Sequence, residues 1–199
     1  MTKLKEELDQ SYWDDRWVNK QTGWDIGYAS TPLVEYFNQI DDKKLRILIP
    51  GCGNAYEAEH LVNEGFSNVH VVDISKTAID NFLTRFPKFP RSQTIHADFF
   101  KLDSEYDIIV EQTFFCALHP TLRGAYAKKA WELLGENGKL VGLLFNTIFE
   151  HDGPPFGGRK EEYETYFEGL FHPTIMEEAT NSIPPRLGRE LFINLSKRS

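Results

Sequence analysis

The chain has 199 residues and a formal net charge of −8 at pH 7. A nucleic-acid-binding surface is basic, so this charge argues against that class of function. No apolar run reaches the ~20 residues that span a bilayer, and the N-terminus is charged where a signal peptide has its apolar core. The two cysteines are too few for a disulfide framework and lack zinc-ligand spacing. We therefore expect residues 1–199 to form one cytoplasmic domain, with no metal site and no nucleic-acid or membrane partner.

The first βαβ unit is predicted over Leu45–Ser75. The β-branched apolar run at its start suits a parallel strand that is covered on both faces. A tight turn through Gly51 and Gly53 follows, and we expect Asn54 to cap the next helix. Gly65 is expected just after the end of that helix, as its C′ residue. The unit is typical of one half of a nucleotide-binding sheet.

Asp73 ends the second strand of this unit, at the distance from Gly53 where nucleotide-binding folds carry an acid that accepts hydrogen bonds from ribose hydroxyls. A third glycine of a dinucleotide fingerprint would fall at Tyr56, whose side chain would crowd a pyrophosphate. The turn therefore suits S-adenosylmethionine, an adenosine without a pyrophosphate, better than a dinucleotide. Two alternatives stay open: an ordinary tight turn beside a surface aspartate, and a nicotinamide dehydrogenase.

The alternation of helices and strands continues along the chain. Further helices are predicted around residues 78–86 and 120–134, and strands over 93–97, 106–111 and 139–145. The last two strands, 175–179 and 190–195, are joined by a turn at Pro184–Pro185 instead of a helix, so they should pair antiparallel. The pattern predicts an α/β, Rossmann-like, doubly wound and mostly parallel seven-stranded sheet with a C-terminal antiparallel hairpin, the layout of class I methyltransferases.

Five stretches carry a resemblance to a known family. They are WDDRW with TGWD in residues 13–25, IPGCG in 49–53, VVDIS in 71–75, TFFCALHP in 113–120 and GPPF in 153–156. Through them the chain resembles the thiopurine S-methyltransferase family, most closely its thiol and halide methyltransferase branch, from about Trp13 to Leu195. The resemblance implies S-adenosylmethionine as the methyl donor and S-adenosylhomocysteine as the product.

The resemblance also implies which residues bind the cofactor. They are Trp13, Trp17, Trp24, Gly51, Gly53, Asp73, Asp98, Phe99 and Gln112. The tryptophans, in an arm of residues 1–30, would cover the cofactor as an aromatic lid, because a sulfonium within ~6 Å of a ring face gains roughly 0.5–2 kcal/mol. A hydrophobic arm that only docks on the core is the alternative. Gly51 would contact the methionine end, Asp73 the ribose, and Asp98 with Phe99 the adenine. Gln112 would lie near the transferred methyl group.

The resemblance favours a small, soft nucleophile as the acceptor: a thiol, hydrosulfide, a halide or thiocyanate. The thiopurine enzymes carry an arginine where this chain has Gln112, and they have a longer insert before the third strand. A thiopurine or aromatic thiol stays the alternative acceptor, and a non-catalytic protein that binds S-adenosylmethionine is less favoured. The candidates for the acceptor pocket are Phe114, Pro155, Phe156 and Arg186. Arg186 would attract an anionic acceptor, and an ordinary surface arginine beside the last strand is the alternative.

A thiolate or halide attacks a sulfonium methyl group in line and needs no general base, so positioning and removal of water can supply the catalysis. The scattered histidines are accordingly expected to be structural or on the surface. Cys116 is expected to lie in the pocket wall or in the core, since direct transfer forms no enzyme adduct. Gln112 is the one candidate for a catalytic role, and the oligomeric state is left open.

Overall fold

The structure, a computed structural model, describes residues 8–199; the start of the predicted arm, residues 1–7, lies outside the described residues. The helices are α1 (Gln10–Val18), α2 (Thr31–Phe37), α3 (Tyr56–Asn63), α4 (Lys76–Arg85), α5 (Arg123–Leu133) and α6 (Lys160–Phe167). The strands are β1 (Ile47–Pro50), β2 (Val69–Asp73), β3 (Thr94–His96), β4 (Tyr106–Gln112), β5 (Leu134–Phe145), β6 (Phe171–Glu178) and β7 (Glu190–Lys197). Short 3-10 helices lie at Arg91–Gln93, Phe99–Lys101 and Pro120–Leu122.

The strands form a seven-stranded sheet in the order β3-β2-β1-β4-β5-β7-β6. Strands β1 to β5 pair in parallel with one another, whereas β7 pairs antiparallel with both β5 and β6. The predicted mostly parallel, doubly wound sheet with a C-terminal antiparallel hairpin is therefore confirmed. The order of the strands reverses between β1 and β4. In open sheets of this kind, ligands bind beyond the carboxyl ends of the strands at such a reversal.

Both faces of the sheet are covered, because the central strands are apolar on both sides. In β1 the side chains alternate: Leu48 packs into the cluster that contains α5 and α6, whereas Ile47 and Ile49 pack with α2, α3 and α4. All of β1 is buried. Each fully buried aliphatic side chain of this kind contributes about 1.5–3 kcal/mol. The double coverage explains why β1 appears in the sequence as a continuous apolar run instead of an alternating one.

Some elements differ from those predicted. Helix α6 was not expected; its buried residues are Tyr163 and Phe167, and the partly buried Tyr166 packs against the same core. Three aromatic residues in a charged segment give only a weak amphipathic pattern. Strand β6 begins earlier than expected and includes Pro173 beside a register shift. Because β6 is at the edge of the sheet, a proline is tolerated there without breaking a central ladder.

Candidate active site

A cavity of about 670 Å³ opens at the carboxyl ends of the parallel strands, a volume typical of ligand pockets. The predicted cofactor residues that line it are Trp13, Trp17, Trp24, Gly51, Gly53, Asp73, Asp98 and Phe99. Two of the predicted acceptor residues, Phe114 and Pro155, also line it. The lining contributed by residues 8–199 does not include Gln112, Phe156 or Arg186. The structure thus brings most of the predicted site together in one place.

Two glycines let aromatic rings approach the turn after β1. Gly51 and Gly53 have φ angles of +55° and +51°, a region that residues with a Cβ atom rarely adopt. A Cβ atom on Gly51 would lie 2.3 Å from Cδ2 of Phe114, and one on Gly53 would lie 3.0 Å from Cζ2 of Trp17. A side chain at either glycine would therefore displace an aromatic ring that lines the cavity.

The helix start after this turn differs from the prediction. The expectation that Asn54 caps α3 is wrong, because the N-cap residue is Ala55, with a φ angle of +49°. The amide of Asn54 instead donates a hydrogen bond to the carboxylate of Asp25 in the N-terminal arm. Gly65, with φ of +89°, directly follows the C-cap residue of α3, as expected.

Asp73 lies at the end of β2 with its carboxylate against the glycine turn. Oδ2 accepts the N–H of Gly53 at 2.9 Å, and Oδ1 accepts the N–H of Ser75 at 2.8 Å. Burial raises the pKa of Asp73 to about 6, and the two backbone hydrogen bonds, which favour the charged form, oppose that rise. A carboxylate at this edge of the cavity has the chemistry that binding of two ribose hydroxyls requires.

Asp98 and Phe99 form the wall that was predicted for the adenine. Oδ1 of Asp98 accepts the N–H of Phe100 at 2.9 Å, where a short 3-10 helix begins. The ring of Phe99 is buried and packs against those of Phe114 and Tyr126, with centroid distances of 5.3 and 5.5 Å. An aromatic wall with a carboxylate at its edge suits a flat purine that carries an amino group.

The three tryptophans of the arm stand together beside the cavity. The ring of Trp24 contacts those of Trp13 and Trp17 edge to face, with centroid distances of 5.7 and 6.0 Å. All three side chains line the cavity. Aromatic ring faces attract cations, so this cluster fits a ligand that carries a sulfonium.

Replacing Trp24 with alanine is expected to weaken binding of S-adenosylmethionine about threefold more than binding of S-adenosylhomocysteine. Only the sulfonium gains the cation–π attraction, roughly 0.5–2 kcal/mol, because the thioether of the product is uncharged. Titration calorimetry with both ligands measures the difference. The control is Trp131→Ala, since Trp131 lies in α5 and its indole N–H binds the carbonyl of Arg198. Equal losses for the two ligands would mean that Trp24 acts by packing alone.

Polar contacts hold the arm on the core. Oδ1 of Asp14, in α1, accepts the hydroxyl of Ser75 at 2.7 Å and the N–H of Thr77 at 2.9 Å. Thr77 lies in the first turn of α4, where the helix dipole favours a negative charge. Because the N–H of Ser75 binds Asp73, the arm and the predicted ribose site share one residue. Sequence reasoning missed Asp14, since it is 61 positions away from Ser75.

Arg186 corrects an expectation, because its charge is already engaged inside the protein. The side chain is buried, its Nη1 lies 3.2 Å from Oε1 of Glu190, and its Nη2 donates to the carbonyl of Trp24 at 2.6 Å. A guanidinium with these partners is not free to attract an acceptor anion. Its contacts instead tie the arm to β7, and so support the position of Trp24.

Gln112 ends β4 beside a smaller pocket of about 50 Å³, which shares Gly51 and Gly53 with the main cavity and also includes Glu57. Its Oε1 atom is buried and has no hydrogen-bond partner within residues 8–199. An unsatisfied buried acceptor costs about 1–3 kcal/mol. The ammonium group of a bound S-adenosylmethionine is a donor that would satisfy it, so this atom fits the cofactor. Contact between Gln112 and the cofactor stays a prediction.

Phe156 is not part of the cavity lining, but it ties the loop that contains Pro154 and Pro155 to the turn after β4. Its ring packs against His119 at a centroid distance of 5.7 Å, and its N–H donates to the carbonyl of Cys116 at 2.6 Å. Its own carbonyl accepts a hydrogen bond from Arg123 at 3.2 Å. Sequence reasoning missed Arg123, which holds this loop from α5 and is 1% exposed.

Cys116→Ser is expected to keep its turnover within about threefold of the parent protein. Cys116 lines the cavity, but burial raises the pKa of its thiol, and Sγ donates to the carbonyl of Thr113 at 3.3 Å. A thiol held in its neutral form is a poor nucleophile. Steady-state kinetics of the variant make the test, and complete inactivation of a folded variant would contradict direct transfer.

Comparison with known proteins identifies related sequences. A family model described as thiopurine S-methyltransferase (TPMT) matches residues 8–191. A probable thiol methyltransferase 2 of Arabidopsis thaliana is 30% identical over 99% of this chain and 89% of its own length. Thiocyanate methyltransferase 1 of Brassica oleracea is 32% identical over 94% of this chain and 85% of its own length. A thiopurine S-methyltransferase of Vibrio cholerae is 23% identical over 95% of this chain and 94% of its own length.

Solved structures with the same fold are more distant in sequence. The 1,6-didemethyltoxoflavin-N1-methyltransferase of Burkholderia thailandensis, solved with bound S-adenosylhomocysteine, has a TM-score of 0.76 over 96% of this chain and 87% of its own, at 16% identity. A TehB-like S-adenosylmethionine-dependent methyltransferase of Corynebacterium glutamicum has a TM-score of 0.65 over 95% of this chain and 98% of its own, at 16% identity. At such identities the likeness establishes the fold alone, which is that of class I methyltransferases.

Proposed function

Because the chain belongs to the thiopurine S-methyltransferase family of S-adenosylmethionine-dependent methyltransferases, we propose that it methylates a small, soft nucleophile. The acceptor class comprises hydrosulfide, small thiolates, thiocyanate and halides. S-adenosylmethionine supplies an electrophilic methyl group when it is bound. The residues of the chain orient the acceptor in line with that methyl group and remove water from it, and no general base is required.

The wall of the cavity is the observation that carries this proposal. On the acceptor side most of the lining is apolar, with Phe114, Pro154 and Pro155, and the polar residues there include His119 and Thr121. No lysine or arginine of the described residues 8–199 lines the cavity. A soft, weakly hydrated anion loses little hydration free energy when it enters such surroundings. A hard oxyanion would need a cation or several hydrogen-bond donors to replace its water. The positive charge opposite the acceptor is then that of the sulfonium.

The names of the relatives support the same acceptor class. The two plant relatives, named as a thiol methyltransferase and a thiocyanate methyltransferase, are 30% and 32% identical to this chain. The relative named as a thiopurine S-methyltransferase is 23% identical. The chain therefore shares more residues with relatives that are named for small sulfur acceptors.

A thiopurine or another aromatic thiol is the second candidate acceptor. The observation that favours it is the aromatic lining of the cavity, to which Trp13 and Phe114 contribute, together with a volume of about 670 Å³. Flat rings stack on such walls. A protein that binds S-adenosylmethionine without methyl transfer is the third possibility.

Formation of S-adenosylhomocysteine tests these candidates directly. The acceptors to run side by side are hydrosulfide, iodide, thiocyanate, an aromatic thiol and a thiopurine. Turnover with the small anions would support the proposal. Turnover only with the aromatic thiol or the thiopurine would favour the second candidate acceptor. No turnover, with cofactor binding shown separately by calorimetry, would favour the non-catalytic alternative. An Asp73→Ala protein purified in parallel should show lower turnover with every acceptor at a limiting concentration of S-adenosylmethionine, which argues against a contaminating activity.

A further inference from the structure

Glu111 is a carboxylic acid that is 0% exposed in β4, one residue before the strand ends. Its partner in the neighbouring strand β5 is Gly142. A Cβ atom on Gly142 would lie 2.4 Å from Cβ of Glu111, so the glycine leaves the room that the acid occupies. Burial of an acid is unfavourable unless it is hydrogen bonded, which makes its partners informative.

Three hydrogen bonds satisfy the carboxylate. Oε1 accepts the backbone N–H groups of Phe114 and Phe115, both at 2.8 Å. Oε2 accepts the hydroxyl of Tyr126, in α5, at 2.6 Å. Burial raises the pKa of Glu111 to about 7, and these bonds, which favour the carboxylate, oppose that rise. A single side chain thus joins β4, the turn that follows it and α5.

The turn that Glu111 holds is a wall of the cavity, since Thr113, Phe114 and Cys116 all line it. Thr113 has a φ angle of +60°, a left-handed conformation that is unfavourable for a β-branched residue. Such a backbone persists only where its surroundings hold it in place. The bonds from Glu111 to the next two amides provide that constraint.

Tyr126 extends the support to other walls of the cavity. Its ring packs against those of Phe99, Phe114 and Phe115, with centroid distances of 5.5, 5.9 and 5.3 Å. Phe114 in turn lies over Gly51 of the glycine turn. Glu111 therefore contacts the acceptor wall directly, and it reaches the predicted adenine wall only through the ring of Tyr126.

We propose that Glu111 is a positioning residue for methyl transfer, which holds the turn of residues 113–117 and so fixes the acceptor wall relative to the glycine turn. It does not touch the reacting atoms, because its oxygens face backbone N–H groups and the Tyr126 hydroxyl. The inference rests on the proposed methyltransferase function.

Three variants of Glu111 test this role. Aspartate is one methylene shorter and cannot keep all three bonds, leucine keeps none, and glutamine keeps an oxygen for the two N–H groups. We expect kcat per folded molecule to fall at least about tenfold in Glu111→Asp and Glu111→Leu, and to stay within about threefold in Glu111→Gln. Kd for S-adenosylhomocysteine should change less than about threefold, since other groups hold Asp73.

Two further variants are controls. Tyr126→Phe removes only the Oε2 partner and should give a smaller loss of kcat than Glu111→Asp. Val69→Ala removes buried atoms at the amino end of β2, away from the cavity, and should lower stability while leaving kcat unchanged. Parent values of kcat and acceptor KM in a folded Glu111→Asp protein would overturn the proposal. An equal loss in Glu111→Gln and Glu111→Leu would also overturn it.

Amide hydrogen exchange gives a readout that does not depend on turnover. The amides of Phe114 and Phe115 should exchange at least about tenfold faster in Glu111→Asp and Glu111→Leu than in the parent, and at the parent rate in Glu111→Gln. Unchanged protection in Glu111→Asp would overturn the proposal. If the parent protein methylates none of the acceptors, the proposed function fails, while exchange still decides whether Glu111 holds the turn.

Discussion

Replacing Asp73 with alanine is expected to raise the dissociation constant for S-adenosylhomocysteine at least about tenfold, which corresponds to about 1.4 kcal/mol. Hydrogen bonds to a charged acceptor contribute about 1.5–3 kcal/mol each, and the carboxylate is placed to accept them from ribose hydroxyls. It also accepts the N–H of Gly53 and of Ser75, so its removal loosens the turn that faces the ligand. Isothermal titration calorimetry on the purified proteins measures the change.

The control for this variant is a second aspartate that binds backbone away from the cavity. Asp107, near the start of β4, accepts the N–H of Arg46 at 2.6 Å. Asp107→Ala should therefore leave the affinity for S-adenosylhomocysteine unchanged. An unchanged affinity in Asp73→Ala would remove the ribose assignment. A tenfold loss in both variants would show that the effect comes from the general stability of the sheet.

The pH dependence of cofactor binding follows from the pKa of Asp73, which burial raises from 3.8 to about 6. The carboxylate is the form that accepts hydroxyl donors, so affinity should fall as the pH falls through about 6 and level off above about 7.

The contribution of Asp73 to the free energy of unfolding of the free protein changes with pH in the opposite direction. A raised pKa means that this group stabilises the fold below pH 3.8, and that this contribution is lost as the pH rises through about 6. Calorimetric titrations at about pH 5 and about pH 8 measure the change in affinity, and Asp73→Asn should flatten it. Equal affinities at the two pH values in the parent would contradict the assignment. Glu111 is present in both the parent protein and Asp73→Asn, so its own titration cancels when the pH dependences of their affinities are compared.

The sequence predicts those parts of the molecule that neighbouring residues determine. An apolar run before Gly51 and an acid at Asp73 define two strands and the turn that follows the first, and the structure places these strands at Ile47–Pro50 and Val69–Asp73. Periodic patterns of apolar residues are visible without knowledge of the fold. The resemblance to the family adds a role for residues such as Asp98, which lies outside the five stretches that carry the resemblance.

Polar contacts between distant residues were not predictable in this way. Asp14 binds Ser75 across 61 positions, and Arg186 binds the carbonyl of Trp24 across 162 positions. A charged residue looks the same in a sequence whether it meets a ligand or an internal carbonyl. From the sequence alone, Arg186 was therefore predicted to attract the acceptor. Glu111 was predicted only as the last residue of a strand, and no sequence pattern indicated its contacts with the following turn.

Replacing Arg123 with methionine is expected to lower the free energy of unfolding by about 2–4 kcal/mol. Arg123 is 1% exposed, and its Nη2 donates to the carbonyls of Phe156 and Gly157 at 3.2 and 2.9 Å. Its Nη1 pairs with Glu162 at 2.9 Å, and its centre lies 4.9 Å from the centroid of the Phe115 ring. Methionine fills similar space but offers no donor, so both carbonyls lose their partner. Urea denaturation measures the difference.

Two matched variants separate the contributions of these contacts. The side chain of Glu162 is 41% exposed, so water can replace Arg123 there, and Glu162→Gln should cost about 1 kcal/mol or less. Lys128, in the same helix, is 72% exposed, and Lys128→Met should change stability by about 0.5 kcal/mol or less. Equal losses in Arg123→Met and Glu162→Gln would mean that the ion pair, and not the loop carbonyls, carries the stabilisation. If the carbonyls carry it, Arg123→Met should also raise the acceptor KM, because the loop that Arg123 holds bears Pro154 and Pro155 of the cavity wall.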